Sequence, residues 1–115
     1  TTTMATRPQE KTMIIERLTF RAKYGQGDTL VGLLKEQIAR QGAPRGGGAS
    51  RIYTDRTGGM FTVEFEVEYP DLAAYARADE ESQSMYGTPE FQEWFGKMTA
   101  CTERGSRRLY NAEKV

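Results

Sequence analysis

An unbroken alternation of apolar and polar side chains from Met60 to Tyr69 constrains the fold of this chain more than any other feature. Because successive side chains of a β-strand point to opposite faces of the sheet, the stretch predicts a long strand with one apolar and one acidic face. The acidic face requires solvent, basic cross-strand partners or another subunit beside it. One parity holds Phe61, Val63, Phe65, Val67 and Tyr69, and the other holds Thr62, Glu64, Glu66 and Glu68.

Three further stretches have the composition of strands. Thr12 to Lys23 (TMIIERLTFRAK) is rich in the β-branched and aromatic residues that favour strands. Arg51 to Thr57 (RIYTDRT) predicts a second strand, and Gly58-Gly59 predicts a tight hairpin that joins it to the long strand. Arg107 to Ala112 (RRLYNA) predicts a short last strand.

Apolar residues at helical spacing predict helices between these strands. Asp28 is placed to cap the first helix, and Gly42 followed by Pro44 ends it. A second helix is expected from Leu72 to about Gln83. The apolar residues of the first helix are Leu30, Val31, Leu34 and Ile38.

A wide aromatic stripe marks the third helix, which we expect to pack on the sheet. Thr88 is placed to cap it, Pro89 takes its first position, and Gly105 ends it. Cys101, the single cysteine, lies in this stripe and is interpreted as a buried thiol rather than a nucleophile. The stripe consists of Phe91, Trp94, Phe95, Met98 and Cys101.

The predicted order β-α-β-β-α-α-β is that of an α+β ferredoxin-like fold with an antiparallel sheet, in which the second helix is broken in two. The first and third strands are then central neighbours. Glu16 falls on the parity that faces the helices, which indicates either a β-bulge or a functional carboxylate in a pocket. The helix-facing parity holds Ile14, Leu18 and Phe20 with Phe61, Val63, Phe65 and Val67, and the opposite parity holds Met13, Ile15, Arg17, Thr19 and Arg21 with Thr62, Glu64, Glu66 and Glu68.

Length and charge narrow the class of protein. The 115 residues fit a polar tail over residues 1–11, which we expect to be disordered, and a single domain over residues 12–115. Sixteen basic and sixteen acidic residues cancel, which argues against nucleic-acid or acidic-membrane partners. The chain has no long apolar run and its first residues lack the apolar core of a signal peptide, so we expect a cytoplasmic protein.

The absence of histidine excludes Ser-His and Cys-His catalysis and haem bound through histidine. No carboxylate spacing of the EF-hand type occurs, so we expect neither a metal nor another cofactor. The glycine-rich stretch from Pro44 to Ser50 lacks the lysine and hydroxyl of a nucleotide-binding loop and leads into a strand. It is therefore interpreted as a flexible connection.

Four stretches together resemble the NIPSNAP-type dimeric α+β barrels over about Met13 to Asn111: YTDRTGGMFTVEFEVEY, PDLAAYARADEE, TPEFQEWFGKM and SRRLY. The resemblance implies two ferredoxin-like subunits joined sheet to sheet as an obligate homodimer, but no particular reaction. The wider superfamily also holds cofactor-independent antibiotic-biosynthesis monooxygenases, haem-degrading enzymes and polyketide cyclases. Without a histidine to hold iron, this chain departs from the haem-degrading branch.

One functional hypothesis is a pocket between sheet and helices for a small apolar or aromatic organic molecule, in an accessory enzyme of secondary metabolism. Glu16 or a tyrosine is a candidate for proton transfer, which keeps a cofactor-independent monooxygenase or cyclase open as an alternative. Ordinary core packing is the competing interpretation for each aromatic residue. The expected lining residues are Phe20, Tyr53, Phe65, Tyr75, Tyr86 and Trp94.

The other hypothesis is a non-catalytic dimeric scaffold, in which the acidic sheet face forms the subunit interface. Arg17 and Arg21 would then meet the carboxylates of Glu64, Glu66 and Glu68 and set partner and register. Such pairs contribute little stability when they stay hydrated, so specific pairing is their better use. Whether the chain is an enzyme stays open at this point.

Overall fold

The computed structural model describes residues 12–41 and 48–115, and its element order is β-α-β-β-α-α-β, as predicted. The expected disordered tail, the end of the first helix at Gly42 and Pro44 and most of the glycine-rich connection lie outside the described residues. The strands are β1 (Ile14–Ala22), β2 (Ser50–Thr54), β3 (Thr62–Tyr69) and β4 (Thr102–Asn111), and the helices are α1 (Gly27–Gln41), α2 (Leu72–Gln83) and α3 (Pro89–Cys101).

The four strands form one antiparallel sheet in the order β2-β3-β1-β4, which confirms the ferredoxin-like α+β fold with β1 and β3 at its centre. Leu18 lies opposite Phe65, and Glu16 lies opposite Val67. The pairing of β1 with β3 runs without a shift from Ile14 to Arg21, so a β-bulge at Glu16 is the wrong interpretation. Regular alternation therefore turns Glu16 toward the helices.

The helix-facing side of the sheet carries two separate buried clusters, and Phe65 packs against both. Cys101 is only 4% exposed, which confirms the predicted buried thiol. The cluster under α1 and α3 contains Ala22, Leu30, Leu33, Leu34, Val63, Trp94, Met98 and Cys101. The cluster under α2 contains Ile14, Val67, Tyr69, Ala74 and Ala78.

The helix N-termini follow local capping rules. The Thr88 hydroxyl accepts a hydrogen bond from the Phe91 amide at 3.3 Å, and Pro89 begins α3, as predicted. Asp71 caps α2 by accepting from the Ala74 amide at 2.8 Å. The prediction that Asp28 is a cap is wrong, because α1 begins at Gly27 and Asp28 lies within its first turn. A carboxylate in the first turn still interacts favourably with the helix dipole.

The predicted tight hairpin at Gly58-Gly59 is wrong: β2 ends at Thr54, and residues 55–61 form a longer connection to β3. Phe61 has a φ of 61°, in the left-handed region, and so cannot continue the extended strand back to Met60. The Asp55 carboxylate accepts from the Thr62 amide at 3.1 Å and fixes the end of this loop.

The last strand is longer than predicted and begins directly after α3, at Thr102 rather than at Arg107. Gly105 therefore lies within β4 and does not end the helix. A side chain at Gly105 would lie only 3.0 Å from the ring of Phe20 on β1, so the glycine leaves room for that ring. A close cross-strand contact, rather than a helix terminus, accounts for the glycine.

Candidate functional site

A cavity of about 940 Å³ lies between the sheet and the three helices. Its volume is at the upper end of the range for sites that hold drug-sized ligands. Ser50, Ala78 and Gly105 contribute short side chains, or none, to its wall. The larger apolar and aromatic lining residues are Leu18, Phe20, Leu34, Ile38, Phe65, Val67, Tyr69, Met85, Tyr86, Phe91, Trp94, Phe95 and Met98.

Aromatic rings from α3 and the connection before it form one wall of the cavity. The ring of Phe91 lies 5.0 Å from Tyr86, 5.6 Å from Trp94 and 5.8 Å from Phe95, measured between centroids. The indole nitrogen of Trp94 donates to the Leu33 carbonyl at 2.8 Å, which fixes the indole against α1. Such a wall suits a flat apolar molecule.

A mostly buried carboxylate, Glu16, introduces charge into this apolar cavity. Its side chain is 13% exposed, and its Oε2 lies 3.5 Å from the Nε of Arg107, which also lines the cavity. Burial raises the pKa of Glu16, whereas Arg107 and the Tyr75 hydroxyl oppose that rise and Asp79 adds to it. Glu16 is therefore a stronger proton acceptor than a carboxylate in water.

Four of the six aromatic residues predicted to line a pocket do line this cavity: Phe20, Phe65, Tyr86 and Trp94. Tyr75 does not line it. Its ring packs edge-on against Tyr69 at 5.3 Å, and its hydroxyl acts on Glu16 from there. Tyr75 thus affects Glu16 without lining the cavity.

The prediction that Tyr53 lines the pocket is wrong, because this residue lies on the opposite face of the sheet. Ile52 pairs with Phe65, and side chains alternate, so Tyr53 points away from the helices. Its hydroxyl donates to Glu66 Oε2 at 3.0 Å, and its ring lies 5.7 Å from the guanidinium carbon of Arg17.

Sequence reasoning missed Arg107 as a cavity residue. The pairing of β1 with β4 places Arg107 opposite Leu18, on the helix-facing side. The sequence predicted a strand that begins at Arg107, but it did not show which residue of β1 lies opposite Arg107. That register depends on the length of β4 and on the irregularity between Arg21 and Ala22.

The side of the sheet that carries no helix, here called the open face, has a hydrogen-bonded network around Glu66. This residue is 7% exposed, and it accepts from Arg17 Nη2 at 2.5 Å and lies 3.4 Å from Arg51 Nη1. The hydrogen bond from Arg17 lowers the pKa of Glu66. Arg51 also bonds Glu68. The open face consists of Ile15, Arg17, Thr19, Arg21, Arg51, Tyr53, Thr62, Glu64, Glu66, Glu68, Arg104, Ser106, Arg108 and Tyr110.

The open face is acidic along β3 and basic along β1 and β4. Arg108 lies opposite Arg17, and Arg104 lies opposite Arg21, so like charges meet directly across the strands. Within the part of the chain that the structure describes, Arg104 and Arg108 form no ion pair. The five residues predicted for a dimer interface, namely Arg17, Arg21, Glu64, Glu66 and Glu68, all lie on this face.

The fold and site define an α+β protein of ferredoxin-like type, with a large cavity on one side of the sheet and a charged open face on the other. Among residues 12–41 and 48–115, no helix is long and apolar enough to cross a membrane. The same residues form no cluster of three or more histidine, cysteine or acidic side chains that would suit a metal ion.

Solved structures of NIPSNAP proteins share this fold. An uncharacterised NIPSNAP domain protein from Burkholderia xenovorans superimposes with a TM-score of 0.67 at 18% identity, over 87% of this chain and 94% of its own. A NIPSNAP-like domain protein from the same organism gives a TM-score of 0.71 at 17% identity, over 88% and 85%. The predicted NIPSNAP resemblance is thus confirmed in the fold.

The fold also extends to a protein from Deinococcus radiodurans that is described as a candidate antibiotic biosynthesis monooxygenase. It superimposes with a TM-score of 0.63 at 13% identity, over 89% of this chain and 94% of its own. No protein-family model and no curated protein matches the sequence. At these sequence identities the comparison establishes the fold but not the activity, which has to be argued from the site.

Proposed function

We propose that this chain binds a small organic molecule with an apolar or aromatic ring system in the cavity between sheet and helices. The observation that carries the proposal is a space of about 940 Å³ with an aromatic wall. Its lining is mostly apolar and aromatic, with a few polar groups among them, which is the character of a small-molecule site. An accessory role in small-molecule metabolism fits such a site, and a cytoplasmic location stays a prediction.

A proton-transfer enzyme is the second candidate, and the observation that favours it is the position of Glu16 in the lining of the cavity. A carboxylate whose pKa is raised by burial, within an apolar cavity, has the character of a general base or acid. The Deinococcus protein of the same fold is described as a candidate monooxygenase, although fold alone transfers no activity.

Binding can be tested with flavone as a flat, uncharged probe. Trp94 is the only tryptophan of the chain and lines the cavity, so quenching of its fluorescence reports occupancy. Ser82 lines the cavity from α2, and Ser82→Phe would fill part of the space. We expect this variant to weaken flavone binding by at least about tenfold, a loss of about 1.4 kcal/mol.

The matched control is Glu80→Phe, which places the same ring at an exposed position of the same helix. It should bind flavone as the original chain does. Equal binding by Ser82→Phe, or no saturable binding by the original chain, would contradict the cavity as the site. Native mass spectrometry of protein purified from its own host would then identify any molecule that the chain retains.

We further propose that the chain is a homodimer joined through the open face. The acidic row on β3 and the basic row on β4 are complementary, so a second copy related by a two-fold axis can pair each row with the other. Arg104 and Arg108 would gain in this way the acidic partners that they lack within the described chain. A non-catalytic scaffold is the alternative if this face assembles and the cavity binds nothing.

A further inference from the structure

Glu16 and Arg107 form an ion pair at the cavity, and the two members differ strongly in burial. The Glu16 side chain is 13% exposed and the Arg107 side chain is 55% exposed. Their contact joins Oε2 to Nε at 3.5 Å, which is longer than an ordinary charge-assisted hydrogen bond. A guanidinium group has five N–H donors, so Arg107 retains donors for a ligand.

The charge of the Glu16–Arg107 pair bears on which ligands fit beside it. The pair is neutral as a unit, and an unpaired charge in an apolar site is costly. A ligand that is already anionic would add a negative charge beside the carboxylates of Glu16 and Glu81, both of which line the cavity. A neutral molecule with an acidic hydroxyl adds none, even after its proton moves to Glu16.

We propose that the ligand of this cavity is a neutral hydroxyaromatic molecule that gives its hydroxyl proton to Glu16, while Arg107 pairs with the oxyanion formed. This inference rests on the proposed binding function. The ligand O–H bond breaks, its electron pair stays on the ligand oxygen, and the proton forms a bond with a carboxylate oxygen of Glu16. The Glu16–Arg107 ion pair is thereby exchanged for an oxyanion–Arg107 pair, and the net charge is unchanged.

The titratable groups around the pair are compatible with this exchange. Burial raises the pKa of both Tyr69 and Tyr75, so these phenols stay protonated and can donate hydrogen bonds. Asp79 on α2 raises the pKa of Glu16, which favours the protonated carboxyl. An electrostatic interaction with Tyr86 contributes to the raised pKa of Arg107. The phenols of Tyr69 and Tyr75 therefore do not take the proton in place of Glu16.

The experiment compares three probes that share one ring system: flavone, 7-methoxyflavone and 7-hydroxyflavone. Only the last has an acidic hydroxyl, and its phenolate absorbs at longer wavelength than its phenol. Absorbance titration gives the pKa of the bound hydroxyl. Calorimetry in two buffers of different ionisation enthalpy gives the number of protons released on binding.

In the original chain we expect the pKa of bound 7-hydroxyflavone to fall by roughly one unit or more relative to the free probe. Arg107→Gln should abolish this fall. Arg77→Gln, which removes an exposed arginine from α2, should leave it unchanged. In the original chain, phenolate formation should release no net proton to the buffer, because Glu16 accepts it. In Glu16→Gln, it should release one full proton to the buffer.

Two outcomes would overturn the inference and leave the binding function standing. In the first, flavone binds but bound 7-hydroxyflavone stays a neutral phenol. In the second, Glu16→Gln releases as many protons on binding as the original chain does. If flavone and 7-methoxyflavone also failed to bind, the proposed cavity function would fall, and the inference with it. Circular dichroism of each variant establishes that a lost signal is not a lost fold.

Discussion

Two glutamates of this chain lie on opposite faces of one sheet, and their surroundings give them opposite electrostatic behaviour. Glu66 accepts hydrogen bonds from Arg17 and Tyr53, and the Arg17 bond lowers its pKa. Glu16 lies in an apolar cavity with Arg107 at 3.5 Å, and burial raises its pKa. The sign of each shift determines how stability depends on pH at that residue.

We expect Glu66→Gln and Glu16→Gln to change stability in opposite directions at pH 7. The pKa of Glu66 is lower in the folded chain than in the unfolded chain, so the ionised carboxylate stabilises the fold. This stabilisation is complete above the unfolded pKa of about 4.3 and is lost as the pH falls through the folded pKa. Glu66→Gln should therefore cost roughly 1 kcal/mol at pH 7, a value reduced by the partial exposure of Arg17. Its difference from the original chain should shrink in acid.

For Glu16 the folded pKa is raised, so ionisation opposes folding above that pKa, and the cost disappears below the unfolded value. Glu16→Gln should be more stable than the original chain at pH 7, and the gap should close toward about pH 4. Urea unfolding at several pH values measures both variants. If both variants were more stable than the original chain at pH 7, or both less stable, the opposite environments assigned to these residues would be contradicted.

At the scale of elements, β4 is fitted to β1 through the contact between Gly105 and Phe20. We expect Gly105→Ala to destabilise the protein by about 1 kcal/mol, because the new methyl group would lie 3.0 Å from the Phe20 ring and force it to move. Chemical denaturation gives the change in the free energy of unfolding.

Gly96→Ala is the matched control, since α3 has open space at Gly96 and nothing within 4 Å of an added side-chain carbon. There alanine should stabilise the helix by about 0.5–1 kcal/mol. In the double variant Gly105→Ala with Phe20→Leu, the smaller side chain should offset much of the Gly105→Ala cost. Purely additive effects would show that the two residues do not compete for space.

At the scale of the whole molecule, the open face is the surface on which the proposed dimer depends. Sedimentation velocity should show a dimer, and Arg108→Glu should shift it to monomer. The reason is that Arg108 has no ion-pair partner within the described chain, and its reversal brings like charges together across the interface. Glu66→Arg should have the same effect, with an added cost from the loss of the Arg17 contact.

Arg77→Glu on α2 makes the same charge change at an exposed position away from the open face, and it should leave the dimer intact. A monomer in the original chain would contradict the proposed assembly. An unchanged dimer in both Arg108→Glu and Glu66→Arg would place the interface elsewhere.

The sequence by itself determined the order of the elements and the two faces of the central strands. Alternation over β3 placed Val63, Phe65 and Val67 toward the helices, and the Thr88-Pro89 pair marked the start of α3. These features follow from local rules, because side-chain period and helix capping depend on residues only a few positions apart. The same periods place Phe20 and Phe65 on the helix-facing side of their strands and Trp94 on the buried side of α3.

Only the tertiary structure decided which residues meet across strands. A one-residue choice of register turns a side chain from one face to the other, which is why Tyr53 was assigned to the wrong side. The positive φ of Phe61 lengthened the hairpin loop, and the contact of Gly105 with Phe20 explains a glycine that sequence rules read as a helix end. The pairing of Glu16 with Arg107 joins residues far apart in the chain, and no local pattern encodes such a contact.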